Sequence, residues 1–181
     1  MSLTLTLLSH GVTAATLAAA FPADEGIERD RPLADPGRAD VVLRGPERRC
    51  AHTAAALGLS ADRDDRLRDA DYGRWRGRSL DEVAADEPDA VALWLTDPAS
   101  APHGGESVVD LVARVGGWLR ERPLGVRRTV AVTHPAVVKA AIVSVLDAKP
   151  TAFWRIDVTP GSRTVLRGGP GRWTLRWLTS R

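Results

Sequence analysis

Leu5-Thr6-Leu7-Leu8-Ser9-His10-Gly11-Val12-Thr13 passes from a short apolar segment directly into a histidine-glycine turn. Leucine alternates with threonine or serine over Leu3 to Ser9, which predicts a strand, and the alanine-rich Val12 to Ala20 predicts a helix. A second apolar run, Val130-Ala131-Val132-Thr133, ends in His134 and precedes a helical pattern over Ala136 to Leu146. In an α/β sheet the carboxyl ends of neighbouring strands open onto one crevice, so these two histidines are expected to meet despite their separation in sequence. Either one alone would more often be a satisfied structural residue.

The rest of the chain keeps the strand-helix alternation. Val41 to Leu43 is a brief strand ending at Arg44, Gly45-Pro46 opens a helix that runs to Leu57, and Gly58 stops it. Pro22 to Gly37 is a polar connection, and Asp62 to Arg78 is charged and turn-like. Ser79 with Glu82 three residues later has the spacing of a capping box, and Pro88 starts another helix bearing Val91 and Leu95. After an Asp97 to Gly105 loop, Ser107 caps an amphipathic helix with Val108, Leu111, Val112, Val115, Trp118 and Leu119 on one face. Phe153 to Val158, Arg163 to Leu166 and Trp173 to Leu178 read as three short strands between Pro-Gly and Gly-Gly-Pro-Gly turns. The order implies a three-layer α/β/α sandwich around a mostly parallel sheet, in a single domain spanning 1–181.

Composition narrows the function. The 181 residues carry 25 Lys and Arg against 23 Asp and Glu, and these are interspersed, so no basic face for nucleic acid is expected. No apolar stretch approaches the roughly 20 residues of a membrane-spanning helix, and the N-terminus lacks the order of a signal peptide. One cysteine, Cys50, excludes an internal disulfide and suits a reducing compartment, so a cytoplasmic location is expected. The spacing along the chain shows no acidic cluster for Mg²⁺ and no Cys/His pattern for Zn²⁺, so neither a metal nor a cofactor is expected.

Five segments, in order, resemble the histidine phosphatase superfamily, which includes phosphoglycerate mutases and many small phosphomonoesterases. Its strand-Arg-His-Gly-x-Thr opening is matched by Ser9-His10-Gly11-Val12-Thr13, except at the first residue. A Ser-Pro-x-x-Arg-x-x-x-Thr-Ala helix start is matched by Pro46, Arg49, Thr53 and Ala54, and an acid before an aromatic-Gly-x-Trp-x-Gly run by Asp69, Tyr72, Gly73, Trp75 and Gly77. Gly105-Glu106-Ser107 with Arg114, and the strand-end His134, complete the series.

The resemblance implies a phosphomonoesterase that acts on a small phosphorylated metabolite without a metal, through phosphohistidine. His10 would be the nucleophile, Asp69 the general acid, and His134 a stabiliser of phosphoryl charge. Arg49 would bind phosphate at a helix N-terminus and Gly11 would let the chain turn close to it, while Thr13 either reaches the phosphate or caps the first helix. Glu106 and His103 would orient substrate. Selectivity is expected from the Arg74 to Arg78 and Ala99 to Gly104 loops, with Trp94 or Trp154. Ser9 stands where the family carries a phosphate-binding arginine, and Arg44 stands where it usually carries serine, so a swap between strand ends would preserve the cation. The alternative is an impaired relative that binds a phosphorylated ligand without turnover. An alpha-ribazole phosphate phosphatase-like role is a further alternative, and a mutase a more distant one.

Overall fold

The first strand sits in the middle of the sheet because both of its faces are buried. The structure, a computed structural model, describes residues 2–28 and 31–179. In β1 (Leu3–Ser9), Leu5 and Leu7 pack into the larger core, while Leu8 joins a smaller core on the other side. The larger core is supplied by α5 (Val108–Arg120) and α6 (Pro135–Val145); the smaller one draws Cys50 and Ala54 from α2 (Arg48–Ala56). Helices on both faces of one sheet give the expected three layers.

Completing the sheet are β2 (Val41–Arg44), β3 (Asp62–Arg63), β4 (Arg128–Thr133), β5 (Arg163–Gly168) and β6 (Thr174–Thr179). Their order is β3-β2-β4-β1-β5-β6. The first four are mutually parallel, β5 runs antiparallel to β1, and β6 antiparallel to β5. Register then fixes the site: Ser9 lies opposite Thr133 and Arg44 opposite Val132, so β2, β4 and β1 finish at one level. The amide of His10 donates to the Thr133 carbonyl (2.8 Å), and that of Gly45 to Val132 (2.9 Å).

Four expectations need correction. The helix expected over Val12 to Ala20 is only one turn, α1 (Ala14–Leu17), since none of its residues is buried and alanine propensity alone cannot hold a longer helix. Phe153 to Val158 is not a strand; Pro150–Arg155 forms a 3-10 turn that drives Phe153 into the larger core against α6. The Asp62 to Arg78 stretch contains β3, an exposed edge strand whose charges disguise it, and 3-10 turns at Asp65–Leu67 and Gly73–Trp75. The helix begun at Gly45-Pro46 starts at Arg48, with Glu47 as its N-cap. Ser79 and Glu82 do form the reciprocal capping box of α3 (Leu80–Asp86), which leads into α4 (Pro88–Thr96).

Leu7 is fully buried at the centre of this arrangement. Leu7→Ala should therefore lower unfolding stability by about 2–5 kcal/mol, read from urea denaturation; a loss under about 1 kcal/mol would show that the central strand does not anchor the core.

Candidate active site

His10 is the first residue past β1, pinned through its backbone: its carbonyl accepts from the Gly161 amide (2.8 Å) while its own amide is held by β4. Its Nδ1 lies 2.7 Å from the Gly11 carbonyl, an acceptor, so Nδ1 carries the proton and Nε2 presents a lone pair. Burial, the neighbouring His134 and Arg49 favour the neutral ring over the opposing pull of Gly11 and Asp69, and bring its pKa down to about 4. The Gly11 amide donates to Thr53 Oγ1 (2.9 Å), which itself donates to the Arg49 carbonyl (2.7 Å), tying the end of β1 to α2.

His134 caps α6 and is fully buried, its ring centroid 5.2 Å from that of His10. Each ring nitrogen has its own surroundings. Nε2 is 2.7 Å from Glu47 Oε2 and 3.3 Å from Cys50 Sγ; Nδ1 is 3.3 Å from Asp69 Oδ2 and 3.1 Å from Arg49 Nε. Burial opposes charge on this ring, yet Asp69, Cys50 and Glu47 outweigh it and raise the pKa to about 10. The Arg49 contact works against that rise, because its N–H competes for the Nδ1 lone pair. Glu47 responds in the opposite sense: desolvation favours its protonated form, but the bond and charge of His134 with the Asp69 amide hold it down at about 2.

Arg49, 1% exposed, joins the parts. Its Nη2 reaches Asp69 Oδ2 (2.7 Å) and its Nη1 the Ala23 carbonyl (3.3 Å). Asp69 is held from outside as well. Arg114, in a two-pronged pair with Glu106 (2.7 Å each), donates to the carbonyls of Arg66 (2.7 Å), Arg68 (3.2 Å) and Asp69 (3.3 Å). The backbone of Asp71 to Gly73 lies directly on that of His103 to Glu106; a Cβ at Gly105 would stand 1.9 Å from the Asp71 carbonyl oxygen, so only glycine fits. A cavity of about 170 Å³, lined in part by Glu47, Arg49, Arg68, Asp69 and Arg76, opens at this rim.

The structure thus brings His10, His134, Arg49 and Asp69 together and sets other candidates apart. Thr13 is an N-cap, its hydroxyl accepting from the Thr16 amide (3.2 Å), so capping is the reading it supports. Glu106 is engaged by Arg114 behind the Asp69 loop. His103 is buried beside Trp75, Tyr72 and Trp94, with Nδ1 accepting from the Gly105 amide (3.0 Å). Ser9 is fully buried, its Oγ directed at the His10 carbonyl (3.5 Å). The Ser9 and Arg44 swap is not realised. Their strands are not neighbours, since β4 lies between them, and strand alternation places Arg44 with Val132 and Leu8 on the face opposite Ser9 and Thr133. Arg44 Nη1 donates to the Gly45 carbonyl (3.0 Å). Sequence reasoning missed Glu47 and Cys50, both directed at His134. Their i, i+3 spacing on the first turn of α2 was the available signal, and the expected lack of metal-ligand spacing is revised in space: Glu47, Cys50 and His134 offer donor atoms all within 4.8 Å of one another.

Opposite shifts on two histidines have a signed consequence. With its folded pKa lowered from 6.5 to about 4, His10 costs stability as pH falls through that interval, because the unfolded chain takes up a proton that the folded one refuses. With its pKa raised to about 10, His134 contributes stability that is full below 6.5 and lost as pH rises through 10. His10→Ala should flatten the decline between pH 6.5 and 4 in urea midpoints while leaving the alkaline decline; an unchanged acid limb would mean that the His10 ring is charged in the folded state.

The chain resembles known proteins in sequence and in fold. A bifunctional protein of Mycobacterium tuberculosis is 30% identical over 139 residues, 74% of this chain but only 38% of that protein. Glucosyl-3-phosphoglycerate phosphatase of the same organism is 33% identical over 128 residues, 63% of this chain and 57% of that protein. The chain therefore spans less than two thirds of the length of either relative. The alpha-ribazole phosphatase of Shigella flexneri superposes with a TM-score of 0.84 over 98% of this chain and 96% of its own, at 21% identity, a likeness of fold. Among the described residues no helix is long and apolar enough to cross a membrane. The profile of the histidine phosphatase superfamily (branch 1) matches residues 5–181, and a match of that extent places the chain in this family.

Proposed function

We propose that the chain hydrolyses a small phosphorylated metabolite through a phosphohistidine on His10, with no metal taking part. One observation carries the reading: a neutral, backbone-held imidazole stands 5.2 Å from the His134 ring, and a single guanidinium donates to both that ring and the nearby Asp69 carboxylate. Nε2 of His10 attacks phosphorus, the bond from phosphorus to the ester oxygen breaks, and the Asp69 carboxyl gives its proton to the departing alkoxide. Arg49 and His134 stabilise charge on the remaining phosphoryl oxygens. Water then attacks the phosphohistidine, its proton returns to Asp69, and His10 is released. For this cycle the incoming phosphate must take the Arg49 contact now held by Asp69, which frees the carboxyl for the leaving group. Glu47 fixes the His134 ring, and Glu106 with Arg114 positions the Asp69 loop.

Ser9 gives the non-catalytic reading its specific support. A buried neutral hydroxyl supplies none of the charge-assisted bonding of a forked cation, and Arg44 does not replace it. The relatives' names concern a glucosyl-phosphoglycerate and an alpha-ribazole ester; both fall within the class of small phosphorylated metabolites proposed here. Substrate choice between them belongs to a panel of esters.

Such a panel, assayed with chelator present, should show hydrolysis that His10→Ala lowers by about 10³-fold or more. A rapid acid-free quench should trap phosphate on His10 in the wild type. Asp69→Asn should slow alkyl esters far more than an activated aryl phosphate, because protonation matters only for a basic leaving oxygen. Tight binding of phosphate or vanadate without turnover of any ester would favour the binder, and full loss of hydrolysis on chelation would refute the metal-free route.

A further inference from the structure

We propose that Glu47, Cys50 and His134 form a site for a thiophilic divalent cation of the Zn²⁺ class, and that filling it switches the phosphatase centre off. The consequence for catalysis rests on the proposed phosphatase reading; the binding itself does not. Three different donors, a carboxylate oxygen, a thiol sulfur and an imidazole nitrogen, converge within 4.8 Å, the combination that suits Zn²⁺ over Mg²⁺ or Ca²⁺. His134 Nε2 stands 2.7 Å from Glu47 Oε2 and 3.3 Å from Cys50 Sγ. In a tetrahedral zinc site with Zn–N near 2.0 Å and Zn–S near 2.3 Å, adjacent donors are about 3.4–3.6 Å apart. The triad need open by less than about 1 Å to admit the ion.

Two further features fit. A histidine that binds a metal through one nitrogen is usually held by a carboxylate at the other, and here Asp69 Oδ2 lies 3.3 Å from Nδ1, which would donate to it once the Arg49 N–H (3.1 Å) turns away. Room exists beside the donors because residue 45 is glycine: a Cβ there would stand 3.1 Å from both His134 Nε2 and Glu47 Oε2. Of the three donors, Glu47 also lines the 170 Å³ cavity, so its carboxylate is the side of the site that faces open space. On binding, the cation forms bonds to Nε2, Sγ and Oε2, and the Nε2 and thiol protons pass to solvent.

The same carboxylate explains the switch. Glu47 Oε1 accepts the Asp69 amide (3.0 Å) while Oε2 holds His134, so a cation that draws Glu47 inward disturbs Asp69 and the His134 ring together. The cation would therefore oppose the reaction, which is consistent with hydrolysis that needs none.

Co²⁺ titrated into the chelator-treated full chain tests the site without reference to activity. The expected result is a thiolate-to-cobalt charge-transfer band that saturates at one equivalent and disappears on adding Zn²⁺. The band should vanish in Cys50→Ser, with cobalt binding weakened by at least about 10-fold, the scale on which even outer partners of a metal ligand matter. It should persist in His10→Ala, which cannot form phosphohistidine. A folded wild type with no band, or a band that survives Cys50→Ser, overturns the site. In parallel, Zn²⁺ should inhibit ester hydrolysis at the concentrations that displace cobalt, with chelator restoring it; hydrolysis unaffected by saturating Zn²⁺ overturns the switch. A clear band in a protein that hydrolyses no ester refutes the phosphatase reading and supports the cation site.

Discussion

The buried guanidinium of Arg49 is the constraint around which this site is organised. A charge at 1% exposure is tolerated only where every direction offers a counter-charge or acceptor, and here each nitrogen has one. Nε meets His134, Nη2 meets Asp69, and Nη1 meets the Ala23 carbonyl. These partners come from the end of β4, the charged loop after β3 and the connection after α1. One side chain thus specifies how three distant segments close over the sheet, and the Thr53 link to Gly11 adds the end of β1. Such a group is costly to strip of a partner, which makes it a specifying element more than a stabilising one.

Around that cation the two histidines are driven apart in protonation. His10 has a carbonyl at one nitrogen and cations nearby, so it stays neutral; the carboxylates of Glu47 and Asp69 favour the charged form of His134, against the Arg49 donor at its Nδ1. Two titratable groups of one type whose surroundings push them in opposite directions are a recognisable preparation for nucleophile and charge stabiliser. The distinction does not come from the rings themselves. It comes from Glu47 and Asp69 on one side and the Gly11 carbonyl on the other.

Much of this was legible because strand ends are local signals. Apolar runs stopping at His10 and His134 fixed which residues share a rim, and the apolar stripe from Val108 to Leu119 fixed a helix that covers the sheet. What escaped depended on facts outside any local window. Arg44 was placed at the right strand end, but strand order and side-chain alternation put it on the other face from Ser9. Alanine propensity over Val12 to Ala20 was real, yet no residue of Ala14–Leu17 is buried, so one turn remains. Phe153 carried strand character, but Pro150 opens a 3-10 turn there and the larger core takes up the Phe153 ring. Glu47 and Cys50 read as ordinary first-turn residues, since their meaning is conferred by a histidine on another strand.

Ser9 gives the remaining argument. The motif arginine would have added a cation at the end of β1, whereas here the charged partners of Arg49 and His134 are the carboxylates of Asp69 and Glu47. On the proposed reading, an entering phosphate would compete with Asp69 for a guanidinium that is already satisfied. The loss of a fixed cation at position 9 thus leaves Arg49, on that reading, as the guanidinium that both an entering phosphate and Asp69 would use.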